Sequence, residues 1–180
     1  MKQKVIIVWF KRDLRVSDHA PLYNAAQEGT AVLPLFVVEP NYWQLPTSSR
    51  RQWCFVHDCL IELDTSLKAL GQGLIIRIGV VTDVLRDLAV DFNIDAIYAH
   101  EETGDGWSFA RDRSVMEYCR GENVRFCETP ANGVVRRLQN RNKWAGIRTR
   151  RMLEDRWPRP CRLSDLSAYS SLAVSYTHLR

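Results

Sequence analysis

The sequence predicts an α/β domain, doubly wound around an open five-stranded parallel sheet, and three observations carry that reading. Short β-branched and apolar runs alternate with longer stretches of helical periodicity, in the order β-α-β-α-β-α-β-α-β. Alternation of this kind implies parallel strands joined by right-handed crossovers, with helices covering both faces. The strand candidates are continuous apolar runs rather than alternating ones, which suits strands buried on both faces. A length of 180 residues, 46% apolar and 26% charged, is enough for one domain with a sizeable core plus a short extension.

Taken in order, Val5 to Trp9 is the first strand, a run of β-branched residues closed by Trp. Ser17 or Asp18 caps a helix that tolerates Pro21 in its first turn, runs to about Gln27 and stops at Gly29. Ala31 to Val38 is the second strand, and its Pro34, which cannot donate to a ladder, asks for an edge position or a bulge. Asn41 to Ser49 reads as a loop. Arg50 to Leu70 is the clearest helix: Trp53, Val56, Leu60, Leu63, Leu67 and Leu70 make one apolar stripe, with Asp58, Glu62, Asp64 and Lys68 off it. Leu74 to Ile78 is a third strand, and Thr82 caps a helix with Leu85, Leu88 and Phe92 facing inward. Ile94 to Ala99, Trp107 to Arg120 and Val124 to Glu128 complete the set as strand, helix and strand.

Composition excludes several classes. No run approaches the roughly 18 to 20 apolar residues of a spanning helix, and the first ten residues lack the apolar stretch of a secretory signal. A soluble, cytoplasmic protein is expected. The five cysteines form no CxxC pair and make no disulfide framework, so reduced thiols are expected. GxGxxG and GxxxxGK[ST] are both missing, and no His pairs with Cys or a carboxylate at metal-ligand spacing, so no metal site is expected. Charge is unevenly placed. Residues 1–132 hold 14 Lys and Arg against 18 Asp and Glu, whereas residues 133–163 hold 10 basic residues against Glu154 and Asp155. That basic block reads as an anion-binding surface, a solvated face, or a connector packing on a neighbouring domain.

Ligands of open α/β sheets bind beyond the carboxyl ends of the strands, where the strand order reverses. Arg12, Asp13 and Arg15 follow the first strand, Glu39 follows the second, and His100, Glu101 and Glu102 follow the fourth. By position these serve equally as solvated loop charges, as helix caps or as ligand contacts. Six tryptophans are many for this length, and Trp43 and Trp107 stand at or beyond strand ends, where an aromatic ring can pack in an interface or stack on a planar ligand.

The opening run from Val8 to Leu22, VWFKRDLRVSDHAPL, resembles the amino-terminal signature of DNA photolyases and cryptochromes, V-W-F-[RK]-x-D-L-R followed by D-[NH]-x-x-L. Further matches follow in order: Leu33 to Pro40, the helix from Ser49 to Leu67, His100 to Gly104, Ala110 to Arg113, and Asn132 to Leu138. The resemblance covers about residues 4–160. It implies a Rossmann-like first domain of a two-domain flavoprotein, holding an antenna chromophore, a folate or a deazaflavin. The partner it implies is a helical carboxyl-terminal domain that binds FAD, docks on damaged DNA and repairs pyrimidine dimers under blue light. No residue for that FAD is assignable in this chain, and the chain alone has no catalytic residues. Any antenna ligand is expected to touch Arg12, Asp13, Arg15, Glu39, Glu101, Glu102 or Arg111. Folate-binding members carry Asn-Glu at the positions matching Trp107 and Ser108, a departure that points away from folate.

Three segments are expected: residues 1–132 as the α/β domain, 133–163 as a basic interdomain connector, and 164–180 as a non-native or disordered tail. Val174 to Arg180 resembles the translation of a transposon-type sequencing adapter. A cryptochrome-like photoreceptor and a standalone nucleotide-binding domain are the alternative functions.

Overall fold

The computed structural model describes residues 1–136, 138–164 and 166. Strands β1 (Gln3–Phe10), β2 (Ala31–Val38), β3 (Ile75–Ile78), β4 (Phe92–His100) and β5 (Arg125–Thr129) form one sheet in the order β3-β2-β1-β4-β5. Every pairing is parallel. The order reverses at β1, so the crevice between the carboxyl ends of β1 and β4 is the switch point of a doubly wound sheet.

The strand period of two divides the apolar residues between two cores. Val5, Ile7 and Trp9 pack with Leu33, Leu35 and Val37 beneath helices α4 (Val81–Asp91) and α5 (Gly106–Gly121), against Leu85, Leu88 and Val115. Ile6, Val8 and Phe10 face the other way, onto Leu22 and Ala25 of α1 (Ala20–Gln27) and Leu60, Leu63 and Leu67 of α3 (Arg50–Lys68). β1 is therefore wholly enclosed from Val5 to Phe10. Each such large side chain contributes about 1.5–3 kcal/mol of burial.

Several expectations change in detail. Helix α1 begins later than expected: neither Ser17 nor Asp18 caps it, because Asp18 adopts a left-handed φ of 51° and the cap passes to His19, whose Nδ1 accepts the Leu22 N–H at 3.1 Å. Thr82 is inside α4, which starts after Val80 with no side-chain cap, and Phe92 opens β4 rather than closing a helix. The expected loop after β2 starts with the short helix α2 (Pro40–Trp43). Asp64, placed off the stripe of α3, is buried instead, because its carboxylate accepts the Leu74 N–H at 2.9 Å and Lys68 Nζ at 2.6 Å, sealing the turn into β3. Pro34 lies in an interior strand, but β3 pairs with β2 only from Leu35 onward, so the proline sits where that flank is still unpaired.

The basic segment contains a 3-10 turn, Arg141–Lys143, and helix α6 (Trp144–Leu153), which buries no residue. Beyond it the chain returns to the body. Asp18 N–H donates to Trp157 O at 2.9 Å, Leu163 N–H to Leu70 O at 2.8 Å, and Val32 N–H to Ser164 O at 3.4 Å. Leu163 joins the α1/α3 core and Leu166 the α4/α5 core, so the boundary expected at residue 164 falls between two core leucines. Arg137 and the rest of the expected tail, Val174–Arg180 included, lie outside the described residues. Among the described residues, no helix is long and apolar enough to cross a membrane.

Candidate functional site

The end of β1 directs alternate residues to two buried charge clusters. Asp13 turns inward, where Oδ1 accepts the Lys11 N–H at 2.9 Å and Oδ2 meets His100 Nδ1 and, at 2.8 Å, His19 Nε2. Burial alone would raise the Asp13 pKa, but the close approach of His100 and His19 prevails and holds it well below the usual carboxylate range. Burial pushes His19 the other way, below an ordinary imidazole. These three side chains are close enough together to suggest a metal centre. The cap fixes the tautomer: His19 Nδ1 takes the Leu22 proton, so its own proton sits on Nε2, which lies 2.8 Å from Asp13 Oδ2 but outside hydrogen-bonding geometry, and that nitrogen has no lone pair to give.

The second cluster is centred on Arg111 of α5. Its guanidinium lies 3.1 Å from Glu39 Oε2, 3.0 Å from Glu102 Oε2 and 2.9 Å from Asp112 Oδ1. Asp112 also takes Lys11 Nζ at 2.7 Å, and Arg12 stands 4.0 Å from Glu102. Lys11 Nζ and the Arg111 guanidinium lie over the Trp9 ring, each 4.8 Å from its centroid. Burial opposes the charge on Arg111, but Asp112, Glu39 and Glu102 more than offset it and raise its pKa. Burial pushes Glu39 up to about 7 despite Arg111. Gly104 follows from the close approach here: its N–H donates to Glu102 Oε1 at 2.7 Å, and a Cβ would lie 2.8 Å from that same oxygen.

A cleft of about 790 Å³ opens above this cluster, between the ends of β1 and β2 and helix α3. Phe36, Tyr42, Trp43 and Phe55 supply aromatic walls, and Arg12 and Arg51 stand at its mouth. The aromatic side continues as a ladder of rings: Trp53 lies 5.0 Å from Trp43, Trp43 5.3 Å from Tyr42, and Tyr42 5.3 Å from Trp107. Size, flat apolar walls and a cationic rim suit a planar heteroaromatic molecule with anionic substituents.

The seven residues singled out from the sequence separate here. Arg12, Arg15, Glu39 and Arg111 line the cleft, and Glu102 fixes Arg111 from behind. Asp13 belongs to the histidine trio, and Glu101 turns toward Arg136 at 3.5 Å, on the β5 side. Sequence reasoning missed Lys11 and Asp112, and of the ring ladder it singled out Trp43 and Trp107 but not Tyr42. The amphipathic period could have placed Asp112 on the inner face of α5 beside Val115 and Cys119, whereas nothing local marks Tyr42 or Phe55 as neighbours. Ser108 is 1% exposed and packed into the α5 cap, its N–H on Asp105 Oδ1 at 2.8 Å.

The sequence pattern of the family described as DNA photolyase matches residues 6–149. The chain belongs to the DNA photolyase family. It is 33% identical over 105 residues to a cryptochrome DASH of Arabidopsis thaliana, covering 55% of this chain and 18% of that protein. It is 28% identical over 124 residues to the deoxyribodipyrimidine photo-lyase of Agrobacterium fabrum, covering 69% of this chain and 25% of that one. Among solved structures, the class III photolyase of Agrobacterium tumefaciens superposes with a TM-score of 0.81 at 21% identity, over 100% of this chain and 39% of that one. An archaeal photolyase from Sulfolobus tokodaii, described with two FAD molecules and a novel light-harvesting cofactor, gives 0.69 at 24% identity, over 89% and 38%. The photolyase-family chain thus spans less than half the length of these relatives, and the parallel α/β sheet is their amino-terminal fold.

Proposed function

We propose that this chain is the antenna-type domain of a photolyase-like flavoprotein, and that its cleft holds a planar light-absorbing chromophore of the flavin or deazaflavin kind. The observation that carries this reading is the cleft itself: aromatic walls and a cationic mouth at the carboxyl edge of the sheet, on the residues of the family signature. Trp43 and Phe55 would offer faces to the ring, and Arg12 and Arg51 would meet its anionic substituents. Bound there, a chromophore of this class supplies absorption of blue light, and the protein's part is to hold it rigid and dry. In the longer protein, a further domain would carry FAD and damaged DNA, and light-driven repair of pyrimidine dimers would be the activity.

The test is a titration of the purified chain with riboflavin, a deazaflavin and a folate, read by quenching of tryptophan fluorescence. Saturable micromolar binding of a flavin or deazaflavin is expected, weakened at least tenfold by Trp43→Ala. If none of the three binds saturably, the reading is wrong. Repair of dimers by the longer gene product under blue light distinguishes an enzyme from a photoreceptor.

A further inference from the structure

The aromatic cleft leaves the switch point of the sheet unused. There, beyond the carboxyl ends of β1, β4 and β5, a cavity of about 560 Å³ lies between the body and the returning basic segment. The body contributes Arg15, His100 and Thr129 to its lining, and the segment Arg151, Arg156 and Trp157. Two bonds tie these walls together: Asp18 N–H donates to Trp157 O at 2.9 Å, and Trp157 N–H to Asp18 Oδ1 at 3.3 Å. Polar groups there are held in place but not used up. His100, 4% exposed, has its Nδ1 on Asp13, which fixes the ring and leaves Nε2 for a ligand. The Thr129 hydroxyl is buried with no hydrogen-bond partner. Arg151, Arg156, Glu154 and Asp155 all border the cavity, and none of them enters an ion pair among the described residues.

We propose that this cavity binds a ribonucleoside 5′-monophosphate, at a site separate from the aromatic cleft although Arg15 borders both. Open parallel sheets meet their ligands where the strand order reverses, and the volume is that of a small-molecule site. The mixed charge selects the class. Asp18, Glu154 and Asp155 would repel a bare phosphate, whereas a nucleotide presents an anion at one end and hydroxyl donors in the middle. Arg156 would answer the phosphate together with Arg15, which keeps donors beyond the two it gives to Asp18 O. The carboxylates would accept the ribose hydroxyls. The Trp157 ring, 41% exposed and 5.4 Å from the Tyr23 ring, would offer a face to the base. Because body and segment both contribute, a bound nucleotide would fasten residues 151–157 to the sheet edge.

The experiment is calorimetric titration of the full chain with AMP, GMP, CMP, UMP and inorganic phosphate. At least one nucleotide is expected to saturate the chain with a Kd below about 1 mM, at least tenfold tighter than phosphate. Arg156→Ala, at an exposed position, is expected to weaken it at least fivefold. Thr129→Val, which keeps the shape and removes the hydroxyl, is expected to do the same, and circular dichroism verifies that both variants are folded. Amides of residues 151–157 are expected to exchange more slowly with the nucleotide bound. Saturating riboflavin is expected to leave nucleotide affinity within about twofold. Failure of all four nucleotides to bind overturns the proposal and leaves the chromophore cleft standing. Phosphate binding as tightly as the nucleotides overturns it, as does an affinity that survives both variants. Displacement of the nucleotide by riboflavin would put it in the aromatic cleft and overturn the separate site.

Discussion

The acidic body and the basic segment treat their charges in opposite ways. In the body the cations that lie inside are answered: the Lys11 side chain, 5% exposed, reaches Asp112 at 2.7 Å, and Arg111 is ringed by Glu39, Glu102 and Asp112. Among the described cationic side chains of the segment from 133 to 163, Arg136 alone has a carboxylate within 4.0 Å. Arg151 and Arg159 donate to backbone carbonyls, and Arg148 lies over Trp144, 5.9 Å from the ring centroid. Removing an ion from water costs several kcal/mol, so buried charges persist only where an opposite charge and hydrogen bonds compensate. A solvated arginine needs no such answer. The body's charges are thus part of its architecture, and those of the segment remain solvated and available to an anionic partner.

The largest effect should come from breaking the interior network. Asp112→Ala strands Lys11 and loosens Arg111, and about 3–5 kcal/mol of stability should be lost; urea unfolding measures it, and a loss under 1 kcal/mol would show that water reaches the pair. Next is the question of where the body ends. Leu163→Ala, at a side chain with no exposure in the α1/α3 core, should cost about 2–4 kcal/mol. A neutral result would place residues 157–166 outside the folding unit.

The pH dependence tells the two buried clusters apart. Glu39 has a folded pKa near 7, above its unfolded value, so folding takes up a proton and stability declines as pH rises from about 4.5 to about 7. The span corresponds to roughly 3 kcal/mol at most, and Glu39→Gln should remove it from a pH series of unfolding curves. Asp13 acts in the opposite sense. Its folded pKa is depressed, so its contribution is present above the ordinary aspartate range and is lost as pH falls through the folded value. Asp13→Asn should flatten the acid limb below about pH 4. The smallest effect belongs to the segment: Arg148→Ala and Arg150→Ala should each change stability by less than about 0.5 kcal/mol, and α6, with no buried residue, should exchange its amides almost freely.

Much of the fold was legible because backbone periodicity is a local property. β2 is found at Ala31–Val38 as read, and α3 begins at Arg50 as read, capped by Ser49, whose Oγ accepts the Gln52 N–H at 3.3 Å. The misplaced caps of α1 and α4 are cases where a partner distant in sequence decided: His19 is held by Asp13, and the first turn of α4 is met by the Glu39 carboxylate rather than by a residue of its own. Asp64 was misjudged because a helical wheel records direction and not the backbone N–H waiting at Leu74.

By itself the amino-acid sequence determined the alternation of strands and helices, the enclosed first strand, the charge imbalance and the edge of the sheet at which a ligand would be met. Each of these follows from patterns within a few residues of one another, where sterics and burial act. Only the tertiary structure decided that Arg111 joins Glu39 to Glu102, that His19 and His100 share one carboxylate, that four aromatic rings from three helices form a ladder, and that Leu163 and Leu166 complete two cores. The deciding contacts, Arg111 with Glu39, His100 with Asp13 and Tyr42 with Trp107, join distant parts of the chain, and a charge or ring finds such a partner only after the crossovers have set which strand ends lie side by side.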